Sequence, residues 1–146
     1  MNIKRKSKEP QFGANPGKLK TPRSVELPND ELRPEFKVCK MDMDGKWGWS
    51  TFDPRHLKEF LSRLLDCQKL TWQELRQNGS HCVQTSQIVS DARKRLQVLQ
   101  LDDWEELYSL RLAGKPRIWG LKEVGIFWIL WWDPNHEICP SQKKHT

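Results

Sequence analysis

The sequence predicts an α+β domain: an N-terminal β-hairpin, two to three helices, then a three-stranded antiparallel sheet. Three observations point to it. Asp44-Gly45 lies between two segments with apolar residues, 36–43 and 46–52, and that dipeptide favours a two-residue hairpin turn because both positions tolerate positive φ. Asp53-Pro54 then opens a segment in which Leu57, Phe60, Leu61, Leu64 and Leu65 recur at helical spacing. Finally, residues 107–112, 115–121 and 126–133 read as three consecutive strands, separated by Ala113-Gly114-Lys115 and Glu123-Val124-Gly125 as turns.

Before the hairpin, residues 1–34 hold five prolines, glycines and scattered apolar side chains. Such a composition cannot bury enough surface to offset its ordering entropy, so a flexible basic arm is expected ahead of a single domain at 35–146. Residues 1–24 carry seven Lys/Arg against Glu9 alone, and the remainder is balanced at 18 basic and 18 acidic residues. The net charge of +6 therefore says little about the folded part. In the first helix, Asp53 is the cap and Pro54 the first helical residue. Thr71-Trp-Gln-Glu74 is a capping box opening a short second helix that stops near Asn78-Gly79. A third helix is expected over 86–97 on the stripe Ile88, Val89, Ala92 and Leu96. In the sheet, alternation puts Tyr108, Leu110 and Leu112 on one face and Ser109 and Arg111 on the other. The apolar final strand reads as a central one, Phe127, Ile129 and Trp131 against Ile126, Trp128, Leu130 and Trp132.

Cys39, Cys67, Cys82 and Cys139 form no CxxC pair, which fits reduced thiols in a cytoplasmic protein. The longest apolar run, 126–132, is far short of a membrane span, and no membrane partner is expected. His136-Glu-Ile-Cys139 with His81-Cys82 is a weak zinc pattern, because adjacent residues rarely chelate one ion; no metal or other cofactor is assigned.

The chemistry concentrates in the last third. RNA carries its own nucleophile, the 2′-hydroxyl. Cutting it therefore requires a base, a cation for the phosphate oxygens and an acid for the departing 5′-oxygen. Arg111, Arg117 and His136 can converge at one end of the sheet, the arginines gripping phosphate through forked donors and His136 titrating in the useful range. Lys115, Lys143, Lys144 and His145 add basic contacts for nucleic acid, and Trp132 is a candidate stacking platform.

The order of elements, with "LYSLRL", "PRIWGL" and "FWILWWDPNHE" as the final strands, resembles the RelE/ParE superfamily of bacterial toxin–antitoxin toxins. The resemblance covers residues 53–137 and singles out Arg111, Arg117 and His136. It implies a RelE-like fold and a type II toxin that cuts mRNA, with a cognate antitoxin as partner. The alternative it carries is a non-enzymatic binder of the same fold, either a gyrase-directed toxin or a nucleic-acid-binding protein of a phage or mobile element.

Overall fold

The strongest local signals produce the elements they announce. Asp53 accepts the Arg55 backbone N–H at 3.0 Å and opens a 3-10 turn, Pro54–His56, that runs directly into α1, Leu57–Gln68. The capping box is complete at α2, Trp72–Gln77, with Thr71 Oγ1 accepting from Glu74 N and Glu74 Oε1 accepting from Thr71 N. These satisfy two N–H groups that a helix start leaves without partners.

The computed structural model describes residues 28–140. The segment 1–27, and with it most of the expected arm, lies outside the described residues, as do Lys143, Lys144 and His145. Residues 28–34 belong to the fold rather than to an arm. Leu32 packs into the core, its carbonyl accepts from Trp72 N at 2.9 Å, and Asp30 pairs with Arg76 at 2.9 Å.

The remaining elements are β1 (Glu35–Lys37), β2 (His81–Gln84), α3 (Ser90–Val98), β3 (Glu106–Arg111), β4 (Arg117–Glu123) and β5 (Ile126–Asp133). The class is α+β, but the sheet has five strands in the order β1-β5-β4-β3-β2. It is mixed: β1 runs parallel to β5, and the other pairs are antiparallel. A three-stranded antiparallel sheet was therefore too small an expectation. The sheet gains β1 at one edge and β2, four residues too short for a legible period, at the other.

The expected N-terminal hairpin does not form. A loop closes between Asp42 and Trp49 (Trp49 N to Asp42 O, 2.9 Å), but its arms spend their hydrogen bonds on β5. Asp42 N donates to Leu130 O at 3.0 Å, and Trp132 N donates to Trp47 O at 2.9 Å. Those two groups of β5 lie beyond its pairing with β1, and the loop satisfies them.

Both sheet faces are covered. On one lie α1 and α2, enclosing Trp72, Leu75, Tyr108, Leu110, Ile118, Phe127, Ile129 and Trp132. On the other lie α3 and the chain after β5, enclosing Ile88, Ala92, Leu96, Leu107, Trp119, Leu121, Leu130, Trp131 and Ile138. α3 starts at Ser90, later than expected, because Val89 is extended. Ile88 and Val89 still pack into the second core from outside the helix.

Trp131 and Trp132 sit on the faces opposite to those that simple alternation gives. The register of β4 and β5 shifts between Trp119 and Gly120, so that Trp119 faces Trp131 while Gly120 faces Ile129. The extra residue, Leu130, reverses every side chain that follows. Gly120 permits the approach: a Cβ there would lie 2.3 Å from the Trp128 carbonyl oxygen and 2.6 Å from Phe127 Cζ.

Candidate active site at the sheet rim

The site begins with strand register. Arg111 pairs with Arg117, and Arg117 with Asp133, and residues directly opposite in an antiparallel ladder share a face. The α3 face therefore presents two guanidiniums side by side at one end of the sheet. Beyond β5 the chain turns on Asp133. This buried carboxylate accepts from Glu137 N (2.8 Å), Ile138 N (3.0 Å) and Trp119 Nε1 (3.1 Å). The turn brings His136 back over the arginines in a left-handed conformation, φ +56°, which a residue other than glycine adopts at a cost and which concentrates at functional sites.

Arg111, Arg117 and His136 line one open cleft of about 590 Å³, together with Gly79, His81, Gln87, Cys139 and Pro140. Among the described residues neither guanidinium is bonded to a carboxylate. Arg117 Nη1 donates to the carbonyls of Gly114 (2.8 Å) and Lys115 (2.9 Å), and Arg111 Nε donates to Gly114 O at 3.2 Å. Like charges directly opposite each other in a sheet are destabilising, and a bound anion relieves that repulsion.

The electrostatics agree. Burial, then the neighbouring Arg111 charge, lowers the Arg117 pKa, with Asp133 opposing. Burial also lowers His136 below its ordinary 6.5, and Arg117, His81 and Arg111 lower it further against Asp133. The imidazole is therefore neutral at pH 7, free to accept a proton. Because the folded pKa lies below the unfolded value, this group's contribution to stability is complete above pH 6.5. It is lost as pH falls through the folded pKa. An anion on the arginines opposes the part of the shift that their charge causes. Titration of the His136 Cε1–H resonance with and without inorganic phosphate is expected to show a higher midpoint with phosphate; an unchanged midpoint would place the anion elsewhere.

Other candidate residues are placed differently. Trp132 is no stacking platform for this cleft. The bulge turns it to the opposite face, where it is 9% exposed and packs against Phe52, Phe60 and Trp49 with ring centroids 5.1–5.7 Å apart. The Lys115 side chain is exposed at the β3–β4 turn and does not line the cleft; its backbone carbonyl serves Arg117.

Two residues of the site lacked a functional reading. Asp133 read only as a strand stop, although a carboxylate before proline at the end of a strand is a turn-builder by type. His81 read only as half of a metal pattern, since β2 went unrecognised. Among the described residues no group of three or more His, Cys, Asp or Glu is gathered to hold a metal ion, and no helix is long and apolar enough to cross a membrane.

Comparison of the chain with protein-family models, with curated proteins and with solved structures returns no match.

Proposed function

We propose that this chain is a metal-independent endoribonuclease of the RelE-like toxin type, with RNA as substrate and an antitoxin protein as physiological partner. One observation carries the reading: two arginines without carboxylate partners among the described residues share a single cleft with a histidine. Arg111 and Arg117 hold the non-bridging phosphate oxygens, where negative charge grows in the transition state. His136 takes the proton of the 2′-hydroxyl. The 2′-oxygen then bonds to phosphorus, the P–O5′ bond breaks, and the products are a 2′,3′-cyclic phosphate and a 5′-hydroxyl end.

Support for a protein partner comes from the other face. α1 turns Phe60 and Leu64 toward the sheet but leaves Leu57, Leu61 and Leu65 exposed at 48%, 45% and 61%. On the other flank of α1, a separate recess of about 270 Å³ is bounded by Phe60, Leu112, Pro116, Trp132 and Pro134, with His56, Glu59 and Arg63 at its edge. An exposed apolar stripe on a helix fits a partner segment.

The test is incubation of the purified chain with single-stranded RNA in excess EDTA. New 5′-hydroxyl and cyclic-phosphate ends are expected. Intact RNA that the chain nevertheless binds would favour the non-enzymatic alternative.

A further inference from the structure

We propose that His81 is the second acid–base group of this cleft, the general acid that protonates the departing 5′-oxygen while His136 receives the 2′-hydroxyl proton. The inference rests on the ribonuclease reading and supplies what that reading lacks. Transphosphorylation needs two proton transfers, and the attacking and leaving oxygens lie in line on opposite sides of phosphorus. A single imidazole serves one of them.

The sheet order provides the other side. Reading across the rim, His136 follows β5, Arg117 opens β4, Arg111 ends β3 and His81 opens β2. The two arginines thus stand between the two imidazoles. His81 is on the correct face: Val83, two residues on, packs into the α3-side core, and His81 pairs in register with Ser109, two residues before Arg111. All four side chains line the same cleft, and the His81 charge is felt by His136.

The ring of His81 is also held for the task. Its Nδ1 lies 3.3 Å from the Gly79 carbonyl oxygen. A carbonyl can only accept, so Nδ1 carries a proton, and Nε2 is the atom that gains and loses one. Gly79 itself is confined, with φ +105° and an added Cβ only 2.9 Å from Arg111 Cδ, so Arg111 packs against this turn only with glycine there.

The alternatives in or next to the lining are a weaker acid, Cys139, and a carboxylate behind it that is already engaged, Asp133. Burial raises the Cys139 thiol, and the Asp133 carboxylate holds two backbone N–H groups and an indole.

In the proposed step His81 enters as the proton donor and His136 as the proton acceptor. The 2′-oxygen attacks phosphorus and its proton passes to His136. The P–O5′ bond breaks, and the 5′-oxygen takes the proton from His81 Nε2. The two rings end with their protonation states exchanged, and no other reactant is consumed.

The experiment compares wild type, His81→Ala and His136→Ala on an ordinary RNA oligonucleotide and on one whose scissile 5′-bridging oxygen is sulfur. A thiolate leaves without protonation. His81→Ala is expected to lose about 10²–10⁴-fold on the oxygen substrate and to regain most of that on the sulfur substrate, while His136→Ala loses activity on both. Full activity of a folded His81→Ala, or an equal loss on both substrates, overturns the role of His81 and leaves the ribonuclease reading standing. A wild-type protein that cuts neither substrate overturns both.

Discussion

On the proposed ribonuclease reading, replacing Arg117 with alanine is expected to lower kcat about 10²–10³-fold without unfolding the protein. The magnitude is that of removing one preorganised donor to a developing oxyanion. Because the charge on the phosphate oxygens is larger in the transition state than in bound RNA, kcat and kcat/KM should fall together. The fold should tolerate the change. Arg117 is opposed by another arginine, and its bonds go to carbonyls of an exposed turn. Arg117→Lys keeps a point charge but loses the planar fork, so only part of the activity should return. Steady-state kinetics on single-stranded RNA, with circular dichroism to check folding, decides the matter. An Arg117→Ala protein with wild-type kcat would remove the guanidinium pair from the chemistry.

The largest loss of stability is expected at a residue that takes no part in the site. Asp42 is 4% exposed. Its carboxylate receives Arg95 Nε at 2.9 Å and Nη2 at 2.8 Å, Trp131 Nε1 at 2.9 Å and Asp44 N at 3.2 Å. It therefore ties the 42–49 loop to α3 and to β5 at once. Asp42→Ala removes all four acceptor contacts, leaving a buried indole N–H and a guanidinium without their partner. Breaking such a buried pair costs about 3–5 kcal/mol, a large fraction of the roughly 5–15 kcal/mol that stabilises a domain. Burial alone would raise the Asp42 pKa, but the bonds from Arg95 and Trp131 outweigh it and the net shift is downward. The stability from this depressed carboxylate is present above its ordinary 3.8 and is lost as pH falls through the folded value. Urea unfolding of wild type and Asp42→Ala at pH 7 and pH 3 tests both points. The gap between the two proteins should be large at pH 7 and narrower at pH 3. A midpoint unchanged by the substitution at pH 7 would show that the loop is held by other contacts.

Local signals in the chain carried through to the fold where their physics is local. The Asp53 cap and the Thr71/Glu74 box depend on residues two or three apart, and the 3-10 turn that leads into α1, and α2 itself, begin where those caps place them. The three C-terminal strands were likewise legible, as was the placement of Ser109 and Arg111 on one face. With those strands antiparallel, Arg111 and Arg117 come opposite each other, so much of the candidate site could be read in order along the chain.

What sequence could not supply were contacts between residues far apart in the chain. Nothing local distinguishes 36–43 as half of a hairpin from a short strand that joins β5 in parallel, since the difference lies in which distant carbonyls its N–H groups meet. β2 is only four residues long, and without it His81 has no face. The fate of Trp132 turned on one extra residue in β5, whose bulge is set by how β4 lies beside it with a glycine at the contact. Pattern and caps, being properties of near neighbours, determined the helices, the final strands and the arginine pair; register, the parallel edge and the return of His136 over the rim, being properties of distant partners, were decided only by the tertiary structure.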